Sequence, residues 1–471
     1  MTPGAGPRAV FRSLWLDEAL ASDRGEAPPL WGDARVDVCI VGGGYTGLWT
    51  ALRIKEHDRA VEVAVIDADI CGGGASGRNG GFVLSWWAKF STLLKVVGAD
   101  EALALARAAE DAVSEIGEFC RRHGIDAHYR HDGWLWTATN PAQRGAWAST
   151  LADLARHGVS PFRELPDADV ARMAGSPRHL AGVFEPTAAT VQPALLARGL
   201  RRVALERGIH LFEGTPMQAL ERARPLRVRT PLGTLVADKV VVALDSWSGA
   251  LPELRRAFFV VASDIVATEP APEQLEKIGW TSGLAISDSR LLVNYYRTTR
   301  DGRIAFGRGG GRLARGSDIG RDYDGVSRRA ADGEAHFRRL YPQLERVAIE
   351  RSWMGPIART TTGLPAFGHL RDRPDILFGF GYSGNGVGPS CVGGRILASL
   401  ALGIRDEWSE CGLARGPTGL FPPEPLRYVA GRIVRAAVAR KEADEDAGRR
   451  PSALVTRVAA LAPGGLVPVH R

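Results

Sequence analysis

One stretch of this chain carries chemistry in its spacing. It reads Gly42-Gly43-Gly44-Tyr45-Thr46-Gly47, a G-x-G-x-x-G with Gly42, Gly44 and Gly47 in register. Gly42 permits a tight turn, Gly44 lets a pyrophosphate approach the backbone, and Gly47 lets a helix sit close to a strand. Asp67 lies 20 residues past Gly47, where a carboxylate accepts from a ribose 2′-OH. An acid there disfavours a 2′-phosphate, which argues against NADP. A second glycine-rich stretch, Gly72 to Gly81, follows at once and includes Gly74-Ala75-Ser76-Gly77-Arg78-Asn79-Gly80-Gly81. An ordinary NAD domain has no need of it. A longer cofactor would need small residues and polar donors along its diphosphate and ring. A third stretch, Gly379 to Gly388, contains Gly384, Asn385, Gly386 and Val387.

The elements around these turns fit that use. Val36 to Val41 reads as a buried strand, and Leu48, Ala51 and Leu52 recur at helical spacing after the first turn. Glu62 to Ile66 reads as a second strand ending at Asp67. Ile376 to Phe378 is strand-like, and a helix through Arg395, Ile396, Leu397 and Leu400 follows the third turn. Its N-terminus could stabilise negative charge, as on a reduced flavin ring. Elsewhere the pattern predicts helices over 100–122, from Asn140-Pro141 to near Gly158, and over 193–207. It predicts strands over 133–139, 258–268 and 291–296. Strands mixed with helices after a βαβ start suggest two interleaved domains.

Composition narrows the class. Hydrophobic residues are 45% and charged residues 24%, as in globular proteins, and 56 of 471 residues are glycine, above the roughly 7% average. The net charge of +7 is spread along the chain, without the basic stripe of a nucleic-acid protein. Cys39, Cys71, Cys120, Cys391 and Cys411 form no C-x-x-C, so neither a disulfide framework nor a zinc site is expected, and a cytoplasmic location fits. The first 30 residues lack the apolar segment of a signal peptide, and no run is long enough to cross a membrane. His128 and His131 have no third partner, so no metal is expected.

Together these segments resemble the FAD-dependent D-amino-acid oxidase/glycine oxidase/sarcosine oxidase superfamily, and within it the gamma-glutamylputrescine oxidoreductase-like branch. The resemblance rests on Ser13-Leu14-Trp15-Leu16, Asp37 to Leu48, Gly74 to Gly81, Tyr295-Tyr296-Arg297, Gly302 to Gly307, Trp353-Met354-Gly355, Thr362 to Gly368 and Gly381 to Val387. It implies an α/β and α+β protein: a discontinuous Rossmann-like FAD-binding domain (32–125, 181–255, 351–410) and an antiparallel-sheet substrate domain (126–180, 256–350). A C-terminal helical extension (411–471) follows. It implies oxidation of a C–N bond of an amine or amino acid to an imine by hydride transfer to flavin, with O2 as acceptor. The alternatives are a dehydrogenase that passes electrons to a carrier, an NAD-linked dehydrogenase, or a flavin-binding protein without amine turnover.

The implied cofactor residues are Gly42, Gly44, Tyr45, Thr46, Gly47, Asp67, Ala68, Gly74, Ala75, Ser76, Arg78, Asn79, Gly80, Gly81, Met217, Gly355, Gly384, Asn385, Gly386 and Val387. Met217 stands where a backbone contact to adenine is expected, and Val240 to Ala243 with Trp247 run beside the cofactor. Relatives with covalent flavin use a His in the slot that Arg78 fills, or a Cys between Trp353 and Thr362. Neither is present, so non-covalent FAD is expected. Asn385 stands where relatives often have His, and Arg303 to Arg308 has no lysine of the kind sarcosine oxidases use with oxygen. Tyr296, Arg308 and Trp353 are the catalytic candidates. Trp86, Trp87, Tyr295 and Arg312 are further candidates for the substrate wall, with core packing or a solvated loop as their alternative uses. Strand alternation allows only one of Tyr295 and Tyr296 to line a pocket. From Pro422 to Arg440 the chain is amphipathic and basic, with Leu426, Val429, Ile433, Val434 and Ala437 on one face. It can dock on the body, or touch an anionic membrane surface or a partner.

Overall fold

The computed structural model describes residues 11–23, 27–316, 319–320, 323 and 325–464. Two eight-stranded sheets dominate. In the first, the strands Ala34–Val41, Val63–Ile66, His210–Phe212, Thr234–Val242 and Arg373–Phe380 run parallel, with Ala34–Val41 between Thr234–Val242 and Val63–Ile66. Val36, Val38, Ile40 and Val41 are buried, the near-continuous apolar run of a strand covered on both faces. Ala366–Leu370 adds an antiparallel edge. Helices Tyr45–His57 and Pro389–Leu402 follow two of the glycine turns. They pack so closely that a Cβ on Gly394 would lie 2.5 Å from Trp49 Cβ.

The second sheet runs Ile349–Thr360, Phe258–Thr268, Ile304–Arg308, Asn294–Thr298, Ala285–Asp288, Trp134–Ala138, Ala181–Glu185, Arg163–Leu165. All its pairs are antiparallel except Ala285–Asp288 with Trp134–Ala138. The expected boundary at 351 falls inside Ile349–Thr360, and the one at 181 sets apart Ala181–Glu185, which is itself a strand of this sheet. Ala181–Glu185 bonds to Trp134–Ala138, and Ile349–Thr360 bonds to Phe258–Thr268 along nearly its whole length. Hydrogen bonding assigns Ile349–Thr360 to one sheet while Gly355, Ile357 and Arg359 near its end border the cleft beside the other.

Two expected elements shifted. The helix from Asn140 is a short 3-10 turn, Pro141–Gln143, then a separate helix, Ala148–Arg156, with Gly145 at φ +74° between them. The strand expected from 291 is Asn294–Thr298.

The chain start is tied in. Ser13 caps helix Leu14–Ser22 and its hydroxyl donates to Gly77 O at 2.6 Å. Trp15 Nε1 donates to Asn79 O at 3.0 Å, and Arg12 forms an ion pair with Asp69. These contacts hold the second glycine-rich stretch in shape. Helix Leu426–Asp446 docks on the second sheet, but not by the expected face. Leu426, Val429 and Ile433 are exposed, while Arg427 and Val438 are buried and Val434 and Ala437 half-buried. The docking stripe recurs at 427, 431, 434, 438 and 442, the face that a helical period places one side away from the expected one.

Candidate active site

A cavity of about 220 Å³ lies between the sheets and is lined by all three glycine-rich stretches. A second cleft shares Asp67, Gly74, Arg78, Leu244 and Trp247 with it and is lined further by Ala68 and Met217. The sequence thus wraps one long trough, as a dinucleotide requires.

The glycines of this trough divide into two kinds. At Gly42 (φ +113°) a Cβ would lie 2.5 Å from Ala243 O, and at Gly47 1.9 Å from Gly42 O. These positions need glycine for the protein's own packing. At Gly74, Gly355 and Gly384 a Cβ would meet no atom nearer than 3.6, 3.5 and 3.8 Å respectively. A Cβ there would fill the cavity, so Gly74 and Gly355 form a cradle for a ligand rather than a packing contact, while Gly384, at φ +97°, needs glycine for its backbone as well. Gly81 (φ +76°) belongs to the first kind, since its Cβ would lie 2.0 Å from Val191 O.

Polar groups converge on the trough. Asp67 Oδ2 accepts from Gly43 N and Oδ1 from Asp69 N, both at 2.9 Å. Burial raises its carboxyl to about 6. Ser76 Oγ accepts from Tyr45 N at 2.9 Å at the start of helix Tyr45–His57. Thr46 Oγ1 and the Tyr382 hydroxyl are 2.8 Å apart and join the first turn to the third. Asn79 Nδ2 donates to Ala75 O and Ser76 O, and its Oδ1 accepts from Gly81 N. Arg78 Nε donates to Gly73 O at 3.0 Å, which turns its stem along the trough. Asn385 Nδ2 donates to Ser85 O at 2.8 Å, while its buried Oδ1 has no partner. Gly80, Gly386 and Val387 also line the cavity. Cradle glycines and an orphaned buried acceptor fit a bound FAD.

The substrate wall differs from expectation. Tyr296 points into the core between Phe306 and Trp280, and its hydroxyl is 2.5 Å from His179 Nε2. Tyr295 lines the cavity instead, because alternation from Val293 puts 293 and 295 on the cavity face. Its hydroxyl is 2.8 Å from Ser263 Oγ. Its ring occupies the space over Gly307, whose Cβ would lie 2.0 Å from it. Arg308 is on the opposite face by the same parity. Its guanidinium is held by Asp332 at 2.9 Å and by Asn294 Oδ1 and Leu292 O at 3.0 Å each. Trp353 does not line the cavity. It packs edge-on to Trp15 at 5.5 Å and donates to Arg78 O at 2.8 Å, so it props the cofactor loop. Trp86 and Trp87 are core residues, and Arg312 lies over the Tyr323 ring.

A cation that sequence reasoning passed over does line the cavity. Gly355, Ile357 and Arg359 share one face of Ile349–Thr360 and all three border the cavity. Arg359 is 8% exposed and its Nε has no partner. Among the described residues no carboxylate pairs with it. Lys89, 2% exposed, stands close enough that the two charges repel. Burial, then Arg359, lower Lys89 to about 7, and burial lowers Arg359 to about 10. An unpaired buried cation is costly, so the site suits an anionic ligand. Alternation from Gly355, already a cofactor candidate, is the signal that would have found Arg359. Among the described residues no group of His, Cys, Asp and Glu is placed to hold a metal, and no helix is long and apolar enough to cross a membrane.

Comparison with known proteins agrees with this geometry. The sequence profile of the FAD dependent oxidoreductase family matches residues 37–400. The gamma-glutamylputrescine oxidoreductase of Escherichia coli (strain K12) is 30% identical over 370 residues, covering 78% of this chain and 84% of that protein. A probable oxidoreductase, OrdL, of Haemophilus influenzae is 28% identical over 384 residues, covering 80% and 85%. The crystal structure of glycine oxidase from Geobacillus kaustophilus superposes with a TM-score of 0.64 at 21% identity, covering 79% of this chain and 96% of that one.

Proposed function

The chain belongs to the FAD-dependent oxidoreductase family, acting on amines or amino acids, and from that premise we propose that its substrate joins an amine to a carboxylate. The C–N bond is oxidised to an imine, which water hydrolyses, and O2 takes the electrons. The observation that carries this reading is Arg359, a buried guanidinium on the cavity whose Nε has no partner and which no carboxylate pairs with among the described residues. The names of two relatives agree with it. A gamma-glutamylated putrescine and glycine each combine amine and carboxylate.

When bound, FAD supplies the acceptor for two electrons. The chain's residues do the rest. Gly42 to Thr46, Ser76, Asn79, Gly355 and Gly384 to Val387 would hold it. Phe82, Leu84, Ile265, Val293 and Tyr295 make the substrate side apolar. Burial there disfavours an ammonium, so the amine enters in its neutral, oxidisable form, and bulk water is excluded. Arg359 pairs with the substrate carboxylate and orients the carbon next to nitrogen. No acid–base constellation is required, which agrees with a cavity lined by neither His nor Cys among the described residues. Five buried, unpaired cysteines support placing the protein in the reducing cytoplasm.

An anaerobic screen tests the reading. Amines that carry a carboxylate should bleach the bound flavin, and their amides should do so far less well. Bleaching by alcohols or thiols alone would overturn it. A second reading, with an electron carrier in place of O2, is favoured by one observation. Gly307 takes the cavity-facing slot of Ile304–Arg308, so that strand places no cation beside the ligand. Stopped-flow reoxidation by O2 decides between the two.

A further inference from the structure

The family match ends at residue 400, yet the chain beyond it touches the substrate side of the cavity from behind. Val293 and Gly309 line the cavity. They are joined by a hydrogen bond from Gly309 N to Val293 O at 2.9 Å. The residues next to them face the opposite way, toward helix Leu426–Asp446. Leu292 N donates to Glu442 Oε1 at 2.9 Å. Arg435 Nε donates to Gly310 O at 2.6 Å. The Leu292 side chain packs with Val438 and Ala459. Gly310, at φ +72°, leaves room for that leucine, since a Cβ there would lie 2.0 Å from Leu292 Cδ2.

Below this contact an ion network secures the helix. Asp446 pairs with Arg290 and Arg339 and accepts from Asn140 Nδ2 at 2.8 Å. Arg290 in turn pairs with Asp288 at 2.8 Å, and Asp288 accepts from Asn294 N and Nδ2. The network therefore runs from the C-terminal helix to the residue between Val293 and Tyr295, the two cavity-facing side chains of that strand.

We propose that the C-terminal helix is a working part of the substrate site: through Arg435 and Glu442 it fixes the wall formed by Val293, Tyr295 and Gly309, and so sets which substrates fit. The inference rests on the reading that the amine binds against this wall. Two polar bonds reach the two backbone segments that carry the wall, and both come from one helix. Gly309 N bonds to Val293 O and Gly311 N to Ala262 O, so the sheet holds both ends of the Gly309-Gly310-Gly311 run, and Arg435 holds the Gly310 carbonyl between them, where glycine leaves the backbone freest to move. Arg435 and Glu442 are positioning residues, because neither lines the cavity.

The test uses the FAD-loaded full chain with Arg435→Met and Arg435→Lys, read in two ways. Hydrogen exchange of peptides spanning 289–294 and 308–313 should speed up about tenfold in Arg435→Met, the loss of one charge-assisted hydrogen bond. Exchange over 42–47 should not change. With the amine that bleaches the flavin best, KM should rise about tenfold in Arg435→Met while kcat stays within about twofold, and Arg435→Lys should recover most of the difference. Unchanged exchange overturns the tether, and faster exchange with unchanged KM overturns the role in substrate fit. Should Arg435→Met fail to fold, the wild type alone still decides: amides of Leu292 and Gly309 that exchange as fast as exposed loops overturn the proposal. If no amine bleaches the flavin, the exchange arm stands and the reading of the reaction fails by itself.

Discussion

Arg359 and Asp67 are the two residues whose removal should separate substrate binding from cofactor binding. A hydrogen-bonded charged group is worth about 1.5–3 kcal/mol, roughly ten- to a hundredfold in affinity. Arg359→Leu should raise KM for a carboxylate-bearing amine by that factor, with FAD content unchanged. Arg359→Lys should recover part of it. Equal effects on the substrate and its amide in steady-state kinetics would show that the guanidinium does not meet the carboxylate. Asp67→Ala should weaken FAD binding by the same range, measured by quenching of flavin fluorescence on titration into apoprotein. The ionised Asp67 carboxylate is an acceptor only, and burial sets its proton loss near pH 6. FAD affinity should therefore fall as pH drops through about 6. Asp67→Asn should flatten that step.

At the scale of elements, helix Leu426–Asp446 is held through a buried charge network, and charge is where its stability is exposed. Asp446 is shared by Arg290 and Arg339. Asp446→Ala leaves Arg339 without its carboxylate and Arg290 with Asp288 alone, and losing such charge-assisted bonds costs about 1.5–3 kcal/mol. Calorimetry should show a lower Tm with FAD still bound. Glu442 adds a pH dependence. Burial raises its carboxyl from the usual 4.5 to about 7. The folded state then holds this proton more tightly than the unfolded chain, so its contribution is full below about 4.5 and is lost as pH rises through 7. Glu442→Gln keeps the carbonyl that accepts from Leu292 N and cannot ionise. It should raise Tm at pH 8 and leave it unchanged at pH 4.

For the whole molecule, the trough between two sheets offers a cofactor backbone groups, hydroxyls, amides and the Asp67 carboxylate, with no thiol or imidazole among the described residues that line it. All five cysteines are buried elsewhere. FAD should be released in full into the supernatant on acid precipitation. Flavin left in the pellet would mean an attachment that this lining does not offer. The N-terminal helix braces one side of that trough. Ser13 and Trp15 hold the carbonyls of Gly77 and Asn79, and these lie in the stretch that carries Ser76 and Asn79.

What the sequence determined by itself was local. A turn before a helix requires glycine at Gly42 and Gly47 because backbone oxygens lie within 2.5 Å of where a Cβ would be. Such constraints act over a few residues and leave a readable trace in residue type and spacing. The parallel strands and the helices after the first and third turns were legible for that reason. The substrate wall was not. Tyr295 and Tyr296 are equal as residue types, and only the partner strand, with Gly307 opposite Tyr295, decides which faces the cavity. Arg308 and Arg359 are likewise both arginines near glycines. Asp332 neutralises the first, and among the described residues no carboxylate reaches the second. Counter-ions lie far away in sequence, so the tertiary structure alone assigns one arginine to the fold and leaves the other for a ligand. The face by which the C-terminal helix docks was settled in the same way. Its exposed stripe is the more apolar one, but the buried partners Asp288, Arg290 and Leu292 reward the stripe that carries Arg435, Val438 and Glu442.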